Sequence, residues 1–392
     1  MAVFRRVFSA LLCVCVLFTP LFVPAHALET SAASAVVMDA GSGRVIYGQN
    51  IHAERSIASI TKLMTALVAV EHCGDPNELV TVDPQAVGTE GSSMYLAYGE
   101  ELPLRHLLYG LLLRSGNDAA VAIAIHCAGD VETFAEWMND KANQLGLQHS
   151  HFANPNGLEA EGHYSSAYDM ALIARAVLDD PLLAEIVATK SITLGERYLE
   201  NHNKLLRRYE GCIGLKTGYT QAAGRTLVSA AQRMGTTFIA VTLHDPNDWD
   251  DHTALLDYAF ENYHSHLLAR GGKTLATVAV EGSLARAVSV VTASEVRYPL
   301  SDDETPSVRI RLPACLKAPV KQGEVVGALV YSLNGEEIGR TDLIAAATAP
   351  RNAPAVLEGR MGRFPFPGAD LFSAALPRWM GPLSRQSAFL TT

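Results

Sequence analysis

Two groups of strand-like runs, far apart in the chain, set the frame. Ala35 to Asp39 and Val45 to Gln49 flank Gly41-Ser42-Gly43, and Gly214 to Thr220, Arg225 to Gln232 and Thr236 to Leu243 follow much later, separated by Gly224 and by Met234-Gly235. The first pair reads as a hairpin and the later three as an antiparallel meander. Between them the sequence is helical: Ser59 to His72 stops at Gly74, Leu104 to Leu113 is Leu-rich, and Asp118 to Cys127 is Ala-rich before Ala128-Gly129. Two early and three late strands enclosing a helical insert give a mixed α/β domain built on an antiparallel five-stranded sheet.

Beyond about residue 268 the chain changes to short strands, and Asn334-Gly335 between Val325 to Leu333 and Glu336 to Ile344 is a strong two-residue hairpin signal. A small β-rich domain over 269–348 is the expectation, a β-rich extension of the first domain the other reading. From Ala349 the chain is rich in Pro, Gly and Arg, with Phe364, Phe366, Leu371, Phe372 and Trp379 scattered among Arg360, Arg363, Arg378 and Arg385. Pro365, Pro367, Pro377 and Pro382 prevent one long helix, so the tail 349–392 reads either as a segment in peripheral contact with a membrane or as a disordered end.

At the other end, Arg5 and Arg6, the apolar run Val7 to Phe18 and Ala25-His26-Ala27 have the form of a signal peptide, 1–27, with the mature chain starting near Leu28. An uncleaved anchor is the other reading, disfavoured because Pro20 and Pro24 interrupt the run. Either way the main domain, 28–268, is expected outside the cytoplasm, in the cell envelope. Removing Arg5 and Arg6 takes the formal charge from −10 to −12, since no acid precedes residue 28, and that balance argues against nucleic acid as a partner. The mature chain keeps Cys73, Cys127, Cys212 and Cys315, none in a Cys-x-x-Cys pattern; a Cys73–Cys127 disulfide and two buried free thiols both remain open.

Three short motifs carry the chemistry. Ser59-Ile60-Thr61-Lys62 opens a helix, and the i, i+3 spacing puts hydroxyl and amine on one face. Ser115-Gly116-Asn117 is a polar turn between two apolar helices, placing a hydroxyl and a carboxamide at a cleft; Asn117 or Asp118 could equally be an N-cap. Lys216-Thr217-Gly218 lies in the first strand of the late meander, where Gly218 is expected to let a substrate backbone approach closely. Each motif alone is ordinary: a capped helix, a turn, an edge strand guarded by a lysine.

Together and in this order they resemble the motifs of the penicillin-recognising serine enzymes. Their neighbourhoods, Ala58 to Thr65, Leu113 to Ala120 and Gly214 to Thr220, resemble the low-molecular-mass penicillin-binding proteins that are D-alanyl-D-alanine carboxypeptidases of peptidase S11 type. The likeness continues through Asn154-Pro155-Asn156-Gly157-Leu158, His163 to Met170 and Asn201 to Leu206, and through Gly323 to Gly327 in the small β domain. It implies a β-lactamase/transpeptidase-like domain, peptidoglycan stem peptides as substrate, β-lactams as covalent inhibitors, and no cofactor. Ser59 would attack the penultimate D-alanine carbonyl. Lys62 would act as base, its pKa lowered from about 10.4 by burial or by Lys216. Ser115 would pass the proton to the departing amine and Asn117 would hold Lys62 and the substrate amide. Lys216 and Thr217 would meet the terminal carboxylate, and the Ser59 and Tyr219 amides would form the oxyanion hole. Some relatives have histidine where this chain has Tyr219, which implies a change in rate or preference.

Other readings have weaker support. No Glu is followed four residues later by Asn, the loop pattern of class A β-lactamases, and no Gly-x-Ser-x-Gly elbow of an α/β-hydrolase occurs. His149-Ser150-His151 with His163 lacks acidic residues at ligand spacing, so no metal is expected. A transpeptidase or endopeptidase shares the same acyl-enzyme, and a catalytically silent wall-binding module would have kept the fold alone.

Overall fold

The computed structural model describes residues 28–352. The expected leader 1–27 and all but the first residues of the expected tail 349–392 lie outside the described residues.

Strands β1 (Ser34–Asp39) and β2 (Val45–Gln49) form the early hairpin. The insert opens with a 3₁₀ turn over Ala58–Thr61 that runs into helix α1 (Lys62–Cys73). A small ribbon of β3 (Leu79–Thr81) and β4 (Glu101–Pro103) precedes α2 (Leu104–Leu113), α3 (Asn117–Ala128) and α4 (Val131–Gln144). Helices α5 (Ala167–Asp179) and α6 (Pro181–Ala188) follow, then the ribbon β5 (Ser191–Leu194) and β6 (Arg197–Glu200) and the short α7 (Leu205–Arg208). The chain returns to the sheet through β7 (Cys212–Gly214), β8 (Thr217–Thr220), β9 (Gly224–Arg233) and β10 (Thr236–Leu243), and α8 (Asp248–Asn262) closes the domain.

The sheet order is β2-β1-β10-β9, with β7 and β8 both on the outer edge of β9, all antiparallel. Five strand positions are therefore filled, as the sequence pattern implies, but the segment Gly214 to Thr220 is not one strand. Leu215, at φ +81°, turns the backbone between β7 and β8. Alternation of apolar residues reports which face a residue takes, not where the chain leaves extended geometry.

Alternation does separate the faces of the sheet. Val36, Met38, Val228, Ala230, Ile239 and Val241 join the core beneath the inserted helices. Their neighbours Val37, Leu227, Ala231, Phe238 and Ala240 pack with Leu255, Leu256 and Ala259 of α8 on the other face. Helix α1 is buried at every position from Lys62 to Ala69, so it runs through the middle of the insert, the place for a helix that is apolar nearly all round. Cys73 and Cys127 form a disulfide, which ties the C-terminal end of α1 to that of α3. Of the two cysteine readings left open by the sequence, the structure takes this one; Cys212 and Cys315 are free thiols.

Downstream, β11 (His264–Ala269) pairs with β14 (Val296–Leu300). A second six-stranded sheet runs β15-β17-β18-β13-β12-β16, from β12 (Thr274–Glu281), β13 (Ala287–Thr292), β15 (Ser307–Arg311), β16 (Cys315–Lys317), β17 (Val325–Leu333) and β18 (Glu336–Ala345). Asn334 and Gly335 both have positive φ, +53° and +91°, the conformation a two-residue hairpin matched to strand twist requires. Arg44, in the turn between β1 and β2, reaches this part of the chain, donating to the Pro299 carbonyl at 2.6 Å and pairing with Glu304.

Candidate active site

The three motifs meet at the edge of the large sheet. Ser59 sits in the 3₁₀ turn, half-buried, and Lys62 opens α1, fully buried, one turn below it. Lys62 Nζ donates to Ser59 Oγ at 2.8 Å and also to the backbone carbonyl of Asn156. Burial first, and the charge of Lys216 second, hold the Lys62 amine well below its ordinary pKa, against a smaller opposing pull from Asp118. A serine hydroxyl in contact with an amine whose charged form is disfavoured is the arrangement an activated nucleophile needs.

The turn carrying Ser59 is braced from below. Thr61 Oγ1 donates to the Ala58 carbonyl at 2.8 Å and lies 2.8 Å from His163 Nε2. His163 Nδ1 accepts the Ala153 amide at 3.1 Å, which leaves the ring proton on Nε2 and makes Thr61 its acceptor. Burial, then His151 and Lys62, keep His163 neutral, with a pKa of about 4. His163 is thus a strut for the nucleophile turn, with both of its ring nitrogens engaged.

Ser115 and Asn117 lie across the cleft at the start of α3, both buried. Ser115 Oγ and Asn117 Oδ1 have no hydrogen-bond partner among the described residues. The sequence reading has Asn117 holding Lys62, but its Nδ2 donates to the Glu90 carbonyl instead, and Lys62 is held by Ser59 and Asn156. Nor does Asn117 cap α3, whose first turn follows Gly116. Asp118 pins the facing loop, accepting from Ser93 Oγ at 2.6 Å, from the Met94 amide at 2.9 Å and from the Leu96 amide at 3.1 Å. Asn117 and Asp118 thus anchor the loop over 90–96 that borders the cleft.

Lys216 is 1% exposed and donates to the Thr217 carbonyl at 2.8 Å, so it stands behind the cleft wall. Burial lowers its pKa to about 7. Thr217, Gly218 and Tyr219 on β8 face the cleft, Tyr219 being 67% exposed. Gly218 has a different reason from the one its motif suggests. A Cβ there would fall 2.4 Å from Thr226 Oγ1 and 3.0 Å from the Ser59 nitrogen, so the missing side chain lets β8 pack against the nucleophile turn from inside.

A cavity of about 350 Å³ opens between these parts. It is lined by Ser59, Ser115, Thr217, Gly218 and Tyr219, and also by Ser92, His202, Lys204, Arg225 and Trp249, which lie outside the three catalytic motifs. Arg225, opposite Tyr219 on β9, pairs with Asp248 at 2.8 Å and lies over the Trp249 ring. Its Nε is buried without a partner among the described residues. These residues come from the loop over 90–96, the turn that leads into α7, β9 and the start of α8, and only the fold brings them together.

Comparison with known proteins agrees with this geometry. A family model described as D-alanyl-D-alanine carboxypeptidase matches residues 22–247, and one described as penicillin-binding protein 5, C-terminal domain, matches residues 263–351. The chain is similar to D-alanyl-D-alanine carboxypeptidase DacF of Bacillus subtilis, 33% identical over 81% of this chain and 86% of the relative. It is also similar to DacD of Escherichia coli, 32% identical over 81% of this chain and 86% of the relative. Among solved structures it resembles penicillin-binding protein 5 of Haemophilus influenzae, with TM-score 0.72 and 29% identity, covering 82% of this chain and 98% of that one.

Proposed function

We propose, for a chain that belongs to the D-alanyl-D-alanine carboxypeptidase family, that it is itself a serine-type carboxypeptidase that removes the terminal D-alanine from peptidoglycan stem peptides and is acylated by penicillin. The observation that carries the reading is the 2.8 Å contact between Ser59 Oγ and the buried, charge-depleted amine of Lys62. Ser59 attacks the penultimate D-alanine carbonyl while Lys62 takes its proton. Ser115, whose hydroxyl is unclaimed by the protein, passes a proton to the departing nitrogen. Asn117 Oδ1, likewise unclaimed, accepts from the substrate amide. The Ser59 amide, packed against Gly218, and the neighbouring Tyr219 amide form the oxyanion hole, worth roughly 3 kcal/mol per donor in comparable enzymes. Thr217 meets the terminal carboxylate, with Lys216 adding its charge from behind. Water then hydrolyses the ester.

The cellular setting belongs to the same proposal. Export by the leader 1–27, a catalytic domain over 28–268, a β domain over 269–348 and action in the envelope all suit an enzyme of peptidoglycan and so of cell shape. The tail 349–392 is the candidate for peripheral membrane contact. The test is D-alanine release from a diacetyl-L-Lys-D-Ala-D-Ala peptide by the purified mature protein, with and without penicillin pretreatment. Penicillin-sensitive release is expected. Covalent labelling without release would replace the carboxypeptidase reading with a transpeptidase, an endopeptidase or a silent receptor.

A further inference from the structure

Two of the helices that carry catalytic motifs also meet at their far ends, in a cluster the mechanism does not use. Helix α1 begins at Lys62 and ends at Cys73, and α3 begins at Asn117 and ends one residue after Cys127. Their N-terminal ends hold two of the three motifs, and their C-terminal ends are joined by the Cys73–Cys127 disulfide. Two further side chains converge on that joint. Gly74, at φ +70°, turns the chain back after α1, and the Leu104 amide, donating to the Glu78 carbonyl at 2.9 Å, fixes the returning segment. Glu78 thereby lies beside His126, the neighbour of Cys127 in the last turn of α3, with 3.2 Å between Oε1 and Nε2.

Cys73 Sγ, a Glu78 carboxylate oxygen and a His126 ring nitrogen all lie within 4.8 Å of one another, the only such group of three among the described residues. Cys127 Sγ, bonded to Cys73 Sγ, is a fourth donor at the same place. Sulfur, imidazole and carboxylate are the donors that Zn²⁺ takes in tetrahedral sites, but the sulfur must be a thiolate, which the closed disulfide withholds. The surroundings suit a cation. The carbonyl ends of two helices meet here, each with partial negative charge. Neighbouring groups that could compete are engaged elsewhere: Glu71 pairs with Lys141 at 2.7 Å, and His72 stacks on Trp137. The His126 and Glu78 side chains are 26% and 35% exposed, so an ion can reach them.

We propose that reduction of the Cys73–Cys127 disulfide turns this joint into a zinc site with Cys73, Cys127, His126 and Glu78 as ligands, the ion taking over the cross-link between α1 and α3. The reductant is a dithiol. One of its thiolates attacks a cysteine sulfur, the protein's sulfur–sulfur bond breaks, and the second thiol closes the reductant's own disulfide. Two electrons and two protons pass to the protein, leaving two cysteine thiols. Zn²⁺ then displaces both thiol protons to water as the two zinc–sulfur bonds form. The sulfurs move apart to the edge of a tetrahedron, about 3.8 Å for zinc–sulfur bonds of about 2.3 Å, while Glu78 and His126 already stand beside them. The site stands apart from the carboxypeptidase reading, since none of its four ligands lines the cleft.

The test uses the chain over 28–392 carrying Cys315→Ser, which removes the exposed free thiol. It is prepared oxidised and, separately, reduced with a phosphine, because a dithiol would itself hold the metal. Metal analysis after gel filtration in Zn²⁺ is expected to find one ion per reduced chain and none on the oxidised chain. Co²⁺ in place of Zn²⁺ should give thiolate-to-cobalt charge transfer and the intense visible bands of tetrahedral coordination. Glu78→Ala with His126→Ala should leave the disulfide able to form, yet lower the zinc affinity of the reduced chain on the order of a hundredfold or more. Where reduction alone unfolds the chain, refolding in Zn²⁺ should restore its far-ultraviolet circular dichroism, and should fail to do so in the double variant. Equal uptake by oxidised and reduced chains overturns the site, as does uptake indifferent to the Glu78 and His126 substitutions. So does a reduced chain that takes up no zinc either as prepared or on refolding.

Discussion

Thr61 offers the cleanest separation of scaffold from chemistry, because its hydroxyl touches neither Ser59 Oγ nor Lys62 Nζ by hydrogen bond yet braces the turn between them. Thr61→Val keeps the shape and removes the hydroxyl. The His163 Nε2–H then loses its acceptor and the Ala58 carbonyl loses a donor, both at a site where Thr61 is 0% exposed and water does not substitute. An orphaned buried polar group costs roughly 1–3 kcal/mol, so the two together are expected to destabilise the domain by about 2–6 kcal/mol. A second effect acts on rate. Ala58 is held at φ +51°, a conformation that costs a non-glycine residue on the order of 1 kcal/mol and persists only while its surroundings fix it. Once the brace is gone the turn relaxes toward ordinary geometry and carries Ser59 with it, and a displacement near 1 Å lowers a positioned reaction by on the order of a hundredfold. The assay pairs denaturant unfolding with the rate of acylation by a fluorescent penicillin. Thr61→Ser, which restores the hydroxyl, should recover most of both losses. His163 stays neutral through the assay range, since its pKa of about 4 lies below it, so titration does not confuse the comparison. A Thr61→Val protein that unfolds at the unmodified midpoint and is acylated at the unmodified rate would refute the strut.

Other consequences are direct. Ser59→Ala should abolish penicillin labelling and D-alanine release while leaving the fold within about 1 kcal/mol, because one hydrogen bond is lost; residual labelling would move the nucleophile elsewhere. Acylation should fall as pH drops through the Lys62 pKa, since the base is the neutral amine. Lys216→Gln removes a like charge, lets that pKa rise, and should shift the acid limb to higher pH; an unmoved limb would deny the coupling. The chain over 28–392, produced under oxidising conditions and denatured without reductant, should expose two titratable thiols, Cys212 and Cys315, and four after reduction. Replacing Cys73 and Cys127 by Ala should cost about 2–4 kcal/mol, since chain entropy for a separation of 54 residues gives about 4 kcal/mol; equal stability by denaturation would count against the bond's role.

Much of the frame was readable because it rests on local signals. The hairpin at Asn334-Gly335 and the two strand groups of the main sheet follow from turn chemistry and alternation. The residues of the three motifs were readable as a set because the chemistry demands their types. What was hidden depends on tertiary contact. Asn156 holds Lys62 through a backbone carbonyl, which any residue supplies, so no side chain marks it in advance. The Cys73–Cys127 disulfide stood as one of two open readings, because choosing it requires knowing that the ends of α1 and α3 meet. Gly218 illustrates a subtler limit. The motif shows that a glycine is present, but only the packing shows that its bare face meets Thr226 and the Ser59 turn.

The backbone explains why three distant motifs behave as one device. Ala58, Ser115 and Leu215, each within or next to a motif, all have positive φ, at +51°, +61° and +81°. Such conformations are uncommon for non-glycine residues and tend to cluster where surrounding structure holds a side chain in a functional geometry. Each bend here aims a group that a regular element would bury or turn away. Ala58 sets Ser59 above the start of α1, Ser115 turns its own buried hydroxyl to the cleft wall between α2 and α3, and Leu215 sends Lys216 inward and Thr217 toward the cleft. The well-packed core beneath α1 keeps these bends from relaxing. The buried charge of Lys216 then has a fixed position from which to depress Lys62, and a shift of one pKa unit corresponds to about 1.4 kcal/mol that only a rigid site sustains. Loosening any one bend is therefore expected to weaken nucleophile, proton path and carboxylate contact together rather than singly, so paired substitutions across two motifs should be markedly non-additive.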